Sequence, residues 1–183
     1  MNRRTFLAGA GLSAVAALGS GVFIDGDLRP AAQTSVHPET LLIVDASDWL
    51  QIDSASSTVP HYLCILNEST ADQLICYSEL TTPEQEFLTE TDFASEYLLV
   101  VEQSLPYGVE LAHASTSDTD PITVQIIEQD LRDSDQYYPT VMWDNSLVLR
   151  IDDSVLPDDL SFNVTLQTID DDIVSVSQHP VSA

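Results

Sequence analysis

Apolar residues in this chain recur in short blocks, at residues 41–44, 62–66, 74–77, 97–101, 109–112, 122–127, 147–151, 162–169 and 173–176. β-Branched and aromatic side chains are frequent in them, and turn formers separate each block from the next, the pattern of short strands rather than long helices. Two blocks alternate with period two. Ile122, Val124 and Ile126 oppose Thr123, Gln125 and Ile127, while Phe162, Val164, Leu166 and Thr168 oppose Ser161, Asn163, Thr165 and Gln167. Each such strand presents one apolar and one mostly polar face. One segment departs from the pattern: Thr82-Pro83-Glu84-Gln85-Glu86 supplies an N-cap, a proline for the first turn and early acids ahead of Phe87 and Leu88, which predicts a short helix. The expected fold class is all-β, a single antiparallel β-sandwich or half-open barrel of about nine strands with one short helix.

The same reading divides the chain into residues 1–24 as a leader, 25–40 as a polar tether and 41–183 as one β domain. No internal repeat is visible, and no stretch after Val44 resembles a linker to a second core.

The leader opens Asn2-Arg3-Arg4-Thr5-Phe6-Leu7 and continues without a charge through Ile24, with Ala16, Ala17, Gly19, Ser20 and Gly21 near its end. A positive start, an apolar stretch and small residues make a targeting segment. The Arg3–Arg4 pair ahead of a mildly apolar, Gly- and Ala-rich stretch resembles twin-arginine translocase signals. That resemblance implies export of an already folded protein, with the translocase as a transient partner that reads Arg3 and Arg4. No Cys lies near Gly19–Gly21 for lipid attachment. Cleavage after the leader is the first expectation. Retention is the second, because nineteen uncharged residues rise roughly 28 Å as a helix, close to a bilayer core of ~30 Å. Membrane contact is expected only through this segment.

Charge sharpens the setting. The chain has no lysine, and from Asp25 onward thirty acids stand against Arg29, Arg132 and Arg150, a formal charge of −27. In dilute buffer such a charge repels itself; in molar salt the Debye length falls to ~3 Å and most of that repulsion disappears. The composition resembles that of proteins from extremely halophilic archaea. Large apolar residues are too frequent for the acids to signal disorder. No basic face exists to neutralise phosphates, so nucleic acid is not an expected partner.

Cys64 and Cys76 are the only cysteines. In an exported chain an even count favours a disulfide, and a hairpin pairing residues 61–66 with 73–80 across the 67–72 loop would set Cys64 opposite Cys76. A metal or redox site from His61, Cys64 and Cys76 is the alternative, and two free cysteines are the third reading. Asn67-Glu68-Ser69 and Asn163-Val164-Thr165 match the glycosylation sequon, the first at an expected loop tip and the second usable only if Asn163 faces solvent.

Catalytic chemistry is not legible. Gly-x-Ser-x-Gly, a Gly-rich phosphate loop and His-Glu-x-x-His are all missing, and His37, His61, His113 and His179 fall in separate segments. No cofactor is implied. Asp130 with Asp133 and Asp135, and the groups Asp152-Asp153, Asp158-Asp159 and Asp170-Asp171-Asp172, read as strand-ending turns on an acidic surface; calcium is the competing reading. The strongest binding candidates are Tyr137, Tyr138 and Trp143, which adjoin Pro139 and Met142 and carry the ring chemistry that holds glycans or partner proteins.

Asp92-Phe93-Ala94-Ser95-Glu96-Tyr97-Leu98-Leu99-Val100-Val101, followed by Tyr107-Gly108-Val109-Glu110-Leu111, resembles small β domains such as the C-terminal domain of a bacterial protease-complex subunit. The likeness spans about thirty of the 183 residues, and the Thr-Gly-Gly turn of those domains is replaced by Ser104-Leu105-Pro106-Tyr107-Gly108. It implies an interaction role. The expected function is an exported, halophilic cell-surface or secreted β domain that binds or supports other cell-envelope components without catalysis.

Overall fold

The structure is a computed structural model that describes residues 35–36, 38–45, 48–52, 59–117, 121–133, 137–152 and 162–179. The leader with Arg3 and Arg4, and most of the tether, lie outside the described residues. Two five-stranded sheets carry the fold. The first has the order β1 (Ser35–Val36), β5 (Val109–Ser117), β6 (Ile122–Asp130), β8 (Phe162–Gln167), β9 (Ile173–Ser175). The second runs β10 (Ser177–Gln178), β3 (His61–Ile65), β4 (Glu96–Pro106), β7 (Met142–Asp152), β2 (Glu39–Val44). Between β3 and β4 the chain forms α1 (Glu68–Leu74), a 3-10 turn (Tyr77–Glu79) and α2 (Thr82–Thr89). No helix among the described residues is long and apolar enough to cross a membrane.

Side-chain alternation sorts the second sheet between two cores. Tyr62, Tyr97, Leu99, Val101, Leu147, Leu149 and Ile151 join Val109, Leu111, Ile122, Val124, Ile126, Val164 and Leu166 of the first sheet in one cluster. The intervening Leu63, Ile65, Leu98, Val100 and Val148 point the other way, against Trp49, Ala71, Leu80 and Leu88. Leu99 and Val100 are sequence neighbours that face opposite cores, and both have 0% exposure. A strand covered on both faces reads as an unbroken apolar run, which explains why 97–101 and 147–151 lack the alternation seen at 122–127 and 162–167.

The mostly β architecture is as expected; its particulars differ. The sheets are mixed rather than antiparallel, because β6 pairs with β8 and β10 with β3 in parallel. Among the described residues there are two α-helices and a 3-10 turn rather than one short helix. The 74–77 block is not a strand: it closes α1, forms a single bridge from Ile75 to Leu50 and enters the 3-10 turn. The expected helix is present, with its N-cap at Thr81, whose N–H donates to Glu84 at 2.6 Å. The domain also begins earlier than residue 41, since Ser35 pairs with Ser117 and Glu39 with Arg150.

The 67–72 segment is a helix, not a hairpin loop. Asn67 caps it by accepting the Thr70 N–H at 2.8 Å, as N-cap side chains do. β3 therefore pairs with β4, placing Cys64 opposite Leu99 rather than Cys76. Both cysteines are free. Cys64 packs against the inter-sheet core, whereas Cys76 follows Ile75 of the helix-side core and its Sγ lies 3.3 Å from Ser78 Oγ. The disulfide expectation fails because the register it assumed is not formed.

Candidate functional site

Three chain segments build the aromatic end of the molecule. The Tyr107-Gly108 turn leads from β4 into β5 and so from one sheet to the other. Residues 131–133 leave β6, and residues 137–141 lead into β7. Backbone bonds clamp the three together: Tyr107 N–H donates to Val141 O at 3.0 Å, and Leu131 N–H to Gly108 O at 2.8 Å. Gly108 has φ +81°, and a Cβ there would stand 2.6 Å from Arg132 Cγ. Glycine is required on both counts, conformation and space.

On that frame Tyr107 sits between two rings, 4.9 Å from Trp143 in an edge-to-face arrangement and 6.0 Å from Tyr138. Such spacing fixes ring orientation. The Asp133 N–H donates to Tyr138 Oη at 2.7 Å, tying that ring to the segment after β6. Leu131, Val141 and Met142 are exposed around these rings, and Tyr137 is 92% exposed. The structure thus places Tyr138 and Trp143 each against Tyr107, and leaves Tyr137 in solvent beside Tyr138. Tyr107 was not among the residues that the sequence pointed to, although the Pro106-Tyr107-Gly108 turn was visible. Arg132 holds Asp130 through a pair of hydrogen bonds at 2.7 and 2.5 Å, which lowers the Asp130 carboxyl to about pH 2. A carboxylate engaged in this way is a poor start for the calcium loop considered at 130–135, of which Asp135 lies outside the described residues. In the 170–172 group, Asp171 adopts φ 65° and accepts from Gln167 at 3.0 Å, the behaviour of a turn residue.

A second polar grouping crosses the helix-facing side of the second sheet. His61, Glu102 and Ser146 occupy one row of β3, β4 and β7. Trp49 Nε1–H donates to Ser146 Oγ at 3.0 Å, Ser146 donates to Glu102 Oε1 at 2.9 Å, and Glu102 Oε2 lies 3.1 Å from His61 Nε2. The His179 ring stands 5.3 Å from that of His61. The hydrogen bond to Glu102 raises the His61 pKa, against the opposing effect of burial. The order serine, carboxylate, imidazole is not that of a nucleophilic triad, in which the imidazole takes the hydroxyl proton. Ser146 is also only 3% exposed, so the row satisfies buried polar groups rather than presenting a nucleophile.

The alternative metal or redox site is not assembled. His61 and Cys64 project from opposite faces of β3, and among the described residues no three His, Cys, Asp or Glu side chains are grouped to hold a metal ion. Burial pushes the Cys64 thiol up to about 12, leaving almost no thiolate near neutrality. Both sequon asparagines are exposed. His113 bonds Thr116 Oγ1 at 2.8 Å beside the bulge in β5. Comparison with protein-family models, curated proteins and solved structures finds no match for this chain.

Proposed function

We propose that this chain is an exported, halophilic β domain that docks a cell-envelope protein through its aromatic end and carries out no chemistry itself. The observation behind this reading is the grouping of Tyr107, Tyr138 and Trp143 with exposed Tyr137, Val141, Met142 and Leu131 in a chain of net charge −25. Aromatic residues, Met and Arg are the side chains enriched in interface cores, and the aliphatic members favour a protein over a glycan. Molar salt supplies the physical context: it screens charge steering beyond ~3 Å and strengthens apolar contact, so an apolar patch is the recognition element that keeps its strength there. The likeness of residues 92–111 to small interaction domains points the same way. Finer features of the reading, the packing of the two sheets as a single sandwich and the twin-arginine route, accompany it as parts of the same proposal.

The test uses a photo-reactive side chain at Tyr137 on intact cells, followed by binding of the captured, purified protein in 3 M KCl. Trp143→Ala should weaken that binding by about 30-fold, the effect of losing a ~2 kcal/mol anchor. Equal affinity of the variant and the parent would overturn the reading.

A further inference from the structure

The outer face of the first sheet is nearly free of charge, in a chain where 30 of 183 residues are acidic. Register fixes its rows: Ser117, Thr123 and Asn163; then Ser115, Gln125, Thr165 and Ser175; then Ala112, Ile127, Gln167 and Ile173. Eight of these eleven positions carry a hydroxyl or an amide and none a carboxylate. Carboxylates stand only at the margin: Asp171 accepts from Gln167 at 3.0 Å at the turn end, and Glu110 lies in the next row against Gln129, where burial raises its pKa. Strand propensity does not account for this. Glu39, Glu96, Glu102, Asp144 and Asp152 all lie on strands of the other sheet. Ile173 is 68% exposed on the uncharged face.

We infer that Asn163 is N-glycosylated and that its glycan lies across this face. Asn163-Val164-Thr165 is a sequon whose Asn and Thr side chains both sit on the face, while Val164 between them is 2% exposed in the core. Asn163 is exposed, and β9 pairs only with Thr165–Gln167, so among the described residues the ladder leaves the Asn163 side of β8 open. Covering a surface with sugar removes water from it. Carboxylates would suffer heavily from that, whereas hydroxyls and amides exchange water for sugar hydroxyls. The other sequon differs: the Asn67 side chain is engaged as a helix cap, between Leu66 and Glu68.

The modification needs a polyisoprenyl-phosphate-linked oligosaccharide as donor. The Asn163 Nδ2–C1 bond forms as the C1–O bond to the phosphate breaks, the lipid phosphate leaves, and the amide proton passes to a base of the transferase. No oxidation or reduction is involved.

The inference rests on the chain being exported, so localisation is measured in the same experiment. Protein is isolated from outside the cells of its natural host and its intact mass and the peptide containing residues 162–167 are determined. A glycan mass on Asn163 that is lost in Asn163→Gln and Thr165→Val, and retained in Thr165→Ser, is the expected result. In the same samples, radical labelling of Ile173 should be at least threefold lower in the glycosylated protein than in Asn163→Gln. Exported protein with bare Asn163 overturns the inference while leaving export standing; protein found only inside the cells overturns both. Equal labelling of Ile173 in the two forms overturns the placement of the glycan on the sheet.

Discussion

Arg150 is the buried cation of the helix-side layer, and replacing it tests how that layer is fastened. Its side chain is 9% exposed. Nη1 donates to Glu39 at 2.9 Å, Nη2 donates to the carbonyl of Phe87 in α2, and the guanidinium stands 4.3 Å from the centre of the Phe87 ring. In Arg150→Met the stem volume is approximately kept. Glu39, whose side chain is 71% exposed, returns to water at a loss of at most about 1 kcal/mol. The Phe87 carbonyl loses a charged donor, worth roughly 1.5–3 kcal/mol, and the ring contact roughly 0.5–1 kcal/mol more. A destabilisation of about 2–5 kcal/mol follows. For a domain of this size each kcal/mol moves Tm by roughly 2–4 °C, so thermal melts in 3 M KCl should shift down by about 4–20 °C. Because the larger part comes from a buried bond, the deficit should be nearly the same at 2 and 4 M KCl. A loss below 1 kcal/mol, or one that vanishes with added salt, would show that Arg150 is only a surface ion pair and that α2 is held by apolar packing alone.

Gly108→Ala should cost about 1–3 kcal/mol, from the positive φ and the approach of Arg132, and denaturant melts together with the Trp143 fluorescence of the native state would register both the loss and a displaced aromatic end. His61 has a raised pKa in the folded protein, so its pairing with Glu102 contributes stability below the ordinary value near 6.5 and that contribution disappears as pH rises through the higher folded value; Glu102→Gln should remove this descent from the pH profile of Tm, and an unchanged profile would refute the assignment. Brief alkylation of native protein should label Cys76 well before Cys64, and neither a reductant nor a chelator should shift the melt; protection of both thiols until reduction would restore the disulfide. Folding should need molar salt, tested by circular dichroism across a KCl series, and an equally stable fold at 50 mM would remove the halophilic reading of the acids.

Strand locations were legible because burial on one face imposes period two, and Val124, Ile126, Val164 and Leu166 lie inward as their spacing requires. Helix α2 was legible because its capping residues are local. Helix α1 was missed, although Asn67, Glu68 and the i, i+3, i+4 spacing of Ala71, Leu74 and Ile75 were a helix signal in polar disguise. At the aromatic end, Tyr138 and Trp143 stood together in one block, but Tyr107 is thirty or more residues away in sequence and entered only through the turn between sheets.

What the sequence determines alone is whatever acts within a few residues or over the whole chain at once: the period of each strand, the caps of α2, the glycine at 108 and the acidic, lysine-free surface. Partnership was decided by the tertiary structure. Alternation specifies which face of a strand is buried and is silent about the neighbour across the ladder, so the parallel pairing of β6 with β8 and of β3 with β10, the separation of Cys64 from Cys76, and the row joining His61, Glu102 and Ser146 all follow from which long-range packing leaves the least apolar surface in water.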